Sequence, residues 1–437
     1  MSLIHPLSAP AAPECLELFK LPDTQTAVLK RYQVEVAPVS SQPAGPLEFH
    51  IRTDSPEYCD LSEVKLYGRV RIVNENGSAL IDTDVAYLVN LYAQTMFKQV
   101  DVKIGNQIIS LPQQMYGYKV IIKNILMKSD ASKTTQLDAQ GYYKPPLGHM
   151  DTIKDDNAPL INKRSMLFSF SKWVDFEVLL DEECLKTGRY LLNNVDLSFK
   201  FTLAPYNQVI MAEDESKNYK FEISDAKLKI PMITVSPGVI LGHANALKSG
   251  NALYPYTRVE MMNHSIAQGE SNINIYNISR KTVPSRLVFG IVSADAFNGN
   301  YKKNPFNFKP YSITSVSVVV NDMVANGSPL DVNFNERSAG GRKYVVAYNQ
   351  MFDVTGTLGR DFGNGININD FKNGYTLFCY NLEPFTNPGK YFNLMRTGFV
   401  RMNIQLSKPL EETCVLIIYT EHQDMYQIDA ARNVIVN

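Results

Sequence analysis

From residue 47 onward, apolar and polar positions alternate with a period of two. Val64, Leu66, Val70 and Ile72 are interleaved with Lys65, Tyr67, Arg69 and Arg71. Val195, Leu197, Phe199, Phe201 and Leu203 alternate with Asp196, Ser198, Lys200 and Thr202. Towards the C-terminus Val400, Met402, Ile404 and Leu406 alternate with Arg401, Asn403, Gln405 and Ser407. Successive side chains of a strand leave opposite faces, so each stretch predicts a strand with one face in a core and the other towards water or a partner. Helical periodicity is confined to Tyr116–Met127, where apolar residues cluster ahead of the polar Lys128-Ser129-Asp130. The pattern predicts a mostly-β protein.

An internal echo organises the strands. Val100, Val102, Ile104, the turn Gly105-Asn106 and Ile108 match Val316, Val318, Val320, the turn Asn321-Asp322 and Val324, each pair 216 residues apart. Both are alternating strands running into a two-residue turn that favours positive φ, which is a hairpin signal. Tyr-containing stretches follow both (Tyr116-Gly117-Tyr118 and Tyr344–Tyr348), and each half closes on a long alternating strand, 195–203 and 400–406. A recurring hairpin is also what any all-β chain produces by coincidence; the sharper reading is a duplicated β-sandwich. Its boundary is expected near residue 215, in the polar stretch Ala212–Asn218. Residues 1–46 carry seven of the 23 prolines and are expected to form an extended arm. The expected division is therefore an arm at 1–46, a first sandwich at 47–215, a second at 216–420 and a tail at 421–437. Two polar, turn-rich insertions, 128–164 and 353–374, are expected on the surface as outward-facing structure.

Composition narrows the function classes. The 437 residues, 45% of them hydrophobic and 20% charged, are ordinary globular material with room for two cores. A formal charge of −1 argues against a protein gripping nucleic acid over its whole surface, and the arm's mixed charges are not a polybasic tail. The most apolar run, Val415-Leu416-Ile417-Ile418-Tyr419, falls far short of the roughly 20 residues of a bilayer helix. Five scattered cysteines (Cys15, Cys59, Cys184, Cys379, Cys414) have no C-x-x-C pair and read as reduced thiols. The N-terminus Met1–Pro6 carries no signal-peptide pattern, so an intracellular site of synthesis is expected.

No motif asks for catalysis. The run Gly356–Gly365 fails the dinucleotide spacing, since after Gly363 and Gly365 the third glycine falls at Ile368, and no Lys-Ser or Lys-Thr follows. The six histidines (His5, His50, His149, His243, His264, His422) form no H-x-H or H-E-x-x-H pair. His149 with Asp151, Asp155 and Asp156 can be drawn as a cation site, but such loop carboxylates are more often solvated. Asp181-Glu182-Glu183 reads as a solvated strand end or turn before Cys184. The expectation is a non-enzyme without catalytic, cofactor or metal residues, whose function is its surfaces.

Five segments carry a family resemblance. They are Glu48-Phe49-His50-Ile51 leading to Tyr58-Cys59-Asp60-Leu61-Ser62, then Phe97–Val102, then Arg189–Leu197, then Ala296–Phe308, and last Gly374–Phe378. In order and over most of the chain, they resemble the major capsid proteins of Maverick/Polinton elements and their adintovirus relatives, in the double jelly-roll lineage. The chain departs at Gly105-Asn106, where the family usually has Asn-Gly, and at Asn381-Leu382-Glu383-Pro384, where Asp-Leu-Thr-Pro is more typical. Phe306 and Phe308 are expected as packing in a core or a trimer interface.

The resemblance implies an all-β chain of two side-by-side eight-stranded jelly rolls with short helices in loops. Three chains would form a homotrimeric pseudo-hexameric capsomer tiling an icosahedral virus-like shell. Partners would be the chain itself and a penton or minor capsid protein, with no sequence-specific nucleic-acid binding, and the location would be the virion capsid. A β-sandwich carbohydrate- or receptor-binding protein shares the strand pattern and remains the alternative. A two-domain cupin-type enzyme would need clustered metal ligands, which the histidine spacing denies.

Overall fold

The computed structural model describes residues 4–39, 45–53, 55–154, 159–279, 281–383 and 392–436, the side chains of 159–161 excepted. Alternation becomes strands where the sequence places it. In Lys65–Asn74 the residues Leu66, Val70 and Ile72 are buried, while Lys65, Arg69 and Arg71 face outward and pair with Glu177, Asp225 and Glu222 on neighbouring strands. In Val400–Leu406 every second residue is buried.

Eight strands of the first half form two antiparallel sheets. One sets Val28–Val36, Tyr219–Val235, Lys65–Asn74 and Val174–Leu179 side by side in that order; the other sets Leu47–Ile51, Leu197–Leu203, Phe97–Ile104 and Gln107–Ile108. Ranked by chain order, the sheets read 1-8-3-6 and 2-7-4-5. The second half repeats this. Ala252–Ile266, Cys414–Ile428, Arg286–Ser293 and Phe378–Asn381 make the 1-8-3-6 sheet, and Asn272–Ser279, Val400–Leu406, Ile313–Val320 and Met323–Val324 the 2-7-4-5 sheet. Two packed four-stranded sheets so interleaved are a jelly roll, and the chain holds two. The 216-residue echo is the fourth and fifth strands of each, and the left-handed backbone at Gly105 (φ 56°), Asn321 (φ 46°) and Asp322 (φ 66°) is what their tight turns demand.

The sheets draw the limits of the halves differently from the sequence pattern. Val28–Val36, inside the expected arm 1–46, is the first strand of the first jelly roll and pairs from Val28↔Val235 to Val36↔Leu228. Its partner lies beyond the expected boundary at 215. Residues 421–428, expected as tail, complete the eighth strand of the second half. The physical reason is shared: a jelly roll closes only when its first and last strands pair, so strands the pattern leaves at a margin belong to a sheet. What remains as an arm among the described residues is 4–27.

The helix Tyr116–Met127 has the predicted bounds, and Val345–Asp353 stands at the equivalent place in the second half. Both long insertions connect the fifth strand of a half to its sixth. They hold more helix than their polar composition announces, in Asp130–Lys133, Pro159–Phe168 and Ile368–Lys372.

The halves are packed asymmetrically. The outer face of the first half's 1-8-3-6 sheet meets solvent, but residues 414–422 and 287–293 of the second half are buried on both faces. Chain preceding and including Tyr116–Met127 covers that sheet. Gln113 Oε1 accepts from Met261 N at 2.9 Å, and Asn263 Nδ2 contacts Met115 Sδ at 3.6 Å. The five-residue apolar run at 415–419 is thus a strand with no wet face.

Phe201 is fully buried between Phe49 and Phe97, with ring centroids 5.8 and 5.1 Å away. Phe201→Ala is expected to cost about 3–5 kcal/mol, read as a lower urea midpoint. Tyr276→Ala, at a side chain 67% exposed, is expected to stay within about 0.5 kcal/mol.

Candidate assembly surfaces

The topology gives the molecule two unlike ends. Strand 8 of the first half runs antiparallel to strand 1, so it finishes beside the point where strand 1 began, and Ser236 N donates to Ala27 O at 2.8 Å. From there the helix Pro237–Ala246 leads to strand 1 of the second half at Ala252. The C-terminal strand Val434–Val436 returns to the same end, where Val434 N donates to Asn106 Oδ1 at 3.1 Å and Arg432 to Asn193 at 2.7 Å. Arm, linker helix and C-terminal segment share one end.

Both insertions occupy the other end and grip each other. Lys133 Nζ donates to Asn364 O at 2.6 Å, Asp130 N to Gly363 O at 3.1 Å, and Lys144 Nζ pairs with Asp370 at 2.5 Å. Asp370 is fixed by a capping box with Asn367 at the start of Ile368–Lys372. Gly365 sits at φ 73°, and a Cβ there would fall 2.2 Å from Asp130 Oδ1, so glycine is required where the two insertions cross. The Gly-rich run is loop geometry at this junction.

Between the ends lies an ion network. Asp181, Glu182 and Glu183, expected to be solvated, are instead buried. Two successive turns of Tyr116–Met127 supply the counter-charges. Lys119 Nζ reaches Glu182 at 2.8 Å and Glu183 at 3.0 Å; Lys123 Nζ reaches Asp181 at 2.8 Å and Glu183 at 3.0 Å. Lys186 also pairs with Asp181. Burial alone would raise these carboxyls, but Lys123 and Lys186 outweigh it and hold Asp181 below its ordinary range, and Lys119 and Lys123 do the same for Glu183. Glu182 moves the other way, raised by burial and by Glu183 against a single opposing lysine bond. The expectation failed because Lys119 and Lys123, which bury the run, lie some sixty positions away in sequence and only the fold brings them in.

The other singled-out residues fall into structural roles. Asp151 accepts from Asn304 N at 2.9 Å and Asn307 Nδ2 at 2.8 Å, binding the first insertion to the second half. Asp155 and Asp156 lie outside the described residues, among which no group of metal ligands is found. Phe306 and Phe308 are core, Phe306 meeting Tyr118 edge-on at 5.2 Å. Cys59, Cys184, Cys379 and Cys414 are buried and Cys15 exposed, all as free thiols. Among the described residues no helix is long and apolar enough to cross a membrane.

Replacing Lys119 by Met would leave Glu182 and Glu183 short of a buried partner, and a loss of about 3–5 kcal/mol is expected in denaturant unfolding. Acid tests the same network. Because Asp181 and Glu183 have lowered values when folded, their stabilisation is present above the ordinary carboxylate range, about pH 4, and is lost as pH falls through it. A thermal midpoint that drops below that pH in the native chain, and drops less in Asp181→Asn, is the expected result.

No family model matches the sequence. An uncharacterized protein of Caenorhabditis elegans is 26% identical over 434 residues, covering 95% of this chain and 99% of that one. Solved structures align along nearly the whole length. A chain of the Sputnik virophage superposes with a TM-score of 0.66 at 11% identity, covering 100% of this chain and 94% of its own. The PBCV-1 virus capsid chain gives 0.58 at 10% identity over 96% and 99%, and the mavirus major capsid protein 0.56 at 10% over 100% and 97%. At such identities the likeness is one of fold, and it agrees with the strand order derived above: the chain is a double jelly roll, the fold of these capsid proteins.

Proposed function

We propose that the chain is a major capsid protein of the Maverick/Polinton and adintovirus kind, a structural subunit with no catalytic, cofactor or metal site. The observation that carries this reading is the pair of jelly rolls with one strand order and one polarity, locked side by side in a single chain. Three such chains around an axis present six similar blocks, a pseudo-hexagon that tiles a closed shell. The two units of the tile are the sheets of residues 28–235 and 252–428. The insertion end faces outward in the virion, and the end bearing the arm and linker faces neighbours, the interior and a penton or minor capsid partner. The absence of a basic run in the arm suits a shell filled by a motor rather than by charge condensation of its genome.

Surface area supports assembly. The exposed area is 22037 Å², against about 17,000 Å² for a compact monomer of 49.2 kDa. The excess marks chain held off the compact body, surface that neighbours can cover on assembly. Part of it lies on the arm, where Leu18, Phe19 and Leu21 are 77%, 101% and 86% exposed.

Light scattering of the purified chain at two concentrations is expected to give a stable trimer, three times 49.2 kDa, and negative-stain microscopy hexagonal particles. A monomer at both concentrations would overturn the capsomer reading. Deleting residues 1–24 is expected to leave the trimer intact and reduce closed shells at least several-fold. Deleting residues 1–36 removes the first strand and is expected to abolish soluble folded protein.

A further inference from the structure

A cavity of about 340 Å³ opens at the insertion end. Its walls come from Asp130–Lys133, the turn through Asp138 and Gly141–Lys144, the helix Pro159–Phe168, and Gly365 of the second half. Two cations line it without a carboxylate within ion-pair distance among the described residues. Lys133 is only 2% exposed, and its Nζ donates to the carbonyls of Ile125 at 2.8 Å and Asn364 at 2.6 Å. Arg164 donates to Leu88 O at 2.8 Å, with its guanidinium 4.4 Å from the ring of Tyr87 and 5.0 Å from that of Tyr143. Carbonyls and ring faces orient these cations but neutralise neither, which is costly away from water.

The donors do not end there. Tyr142 and Tyr143 line the cavity, and their hydroxyls are buried with no hydrogen-bond partner among the described residues. Of the two other cations of the wall, Lys144 is engaged by Asp370 and Lys163 stands exposed. The carboxylates that line the cavity, Asp130 and Asp138, are solvent-exposed residues. Burial holds Lys133 down to about 7, with Asp130 pulling the other way and Lys144 adding to the shift.

We propose that this cavity binds a compact anion, a carboxylate, sulfate or phosphate on a body no larger than a monosaccharide. Lys133 and Arg164 supply the charge, and the Tyr142 and Tyr143 hydroxyls, closed off in the empty cavity, turn to donate to the ligand. A volume of 340 Å³ sits at the small end of ligand pockets, about 300–1,000 Å³, which sets the size limit. The site needs both halves of one chain and no second copy, so it is tested on unassembled protein and stands or falls separately from the trimer.

Titration calorimetry of the full chain in low-salt buffer, with N-acetylneuraminic acid, glucose 6-sulfate and inorganic phosphate as separate probes, tests it. At least one probe is expected to bind with a millimolar or tighter Kd. Lys133→Met is expected to weaken that binding about tenfold and Tyr143→Phe about threefold. Tyr143→Phe and Tyr142→Phe remove only an unpartnered hydroxyl, so they keep the test valid should Lys133→Met not fold. Phosphate binding as tightly as either sugar identifies a free anion as the ligand; a sugar binding tighter identifies an anionic glycan. No heat from any probe up to about 10 mM, or binding that all three substitutions leave unchanged, would overturn the proposal.

Discussion

Each half of the molecule hangs on the pairing of its eighth strand. Tyr219–Val235 carries Val28–Val36 on one side and Lys65–Asn74 on the other; Cys414–Ile428 carries Ala252–Ile266 and Arg286–Ser293. In both sheets the central strand is therefore the last to be made, and its first neighbour waits with an unpaired edge until it arrives. Loop closure over such separations is slow to find and makes no sheet until it succeeds. The same pairing fixes polarity. Strand 8 ends beside the start of strand 1, so the linker 236–251 delivers the second half to the same end, and every loop class of one half lies level with its counterpart.

The second constraint is the seam. Burying both faces of the second half's 1-8-3-6 sheet gives the halves a shared core but leaves their relative orientation to non-directional contacts. The crossed insertions add direction between the halves, and the ion network fixes the register of the first half's own covering helix. Lys119 and Lys123 occupy successive turns of one helix and meet three consecutive acidic residues, so a displacement by one turn would strand at least one buried charge. At the insertion end the contacts of Lys133, Lys144 and Gly365 do the same with backbone groups.

Much of this was legible where a strand has one wet and one dry face. Lys65–Asn74, Leu197–Leu203 and Val400–Leu406 announce themselves by alternation, and the hairpins by their turn residues. Val28–Val36 hides in its surroundings, although Tyr32, Val34 and Val36 alternate with Gln33 and Glu35. It is an edge strand flanked by prolines, and what makes it a strand is a partner some two hundred residues away. The acidic run and the pocket cations were illegible for a related reason. Lys119 lies far from Glu182 in sequence, and Lys133 far from Asn364, so no local spacing encodes either contact.

In the proposed shell the unequal ends acquire a reason. Subunits tiling a surface must keep their flanks regular, because a long insertion on a flank would hold neighbouring tiles apart. Growth is tolerated only along the normal to the layer. Both connections between the fifth and sixth strands, residues 109–173 and 325–377, leave at the end that no terminus or linker occupies. Lengthening them costs little in closure entropy, which rises only slowly with loop length, and each can fold on the other rather than on a neighbour. The opposite end lacks that freedom, since the linker and the first and last strands of both halves converge there. A double jelly roll thus separates a constrained end that organises contacts from a permissive end that can acquire chemistry, and the buried cations Lys133 and Arg164 lie at the permissive one.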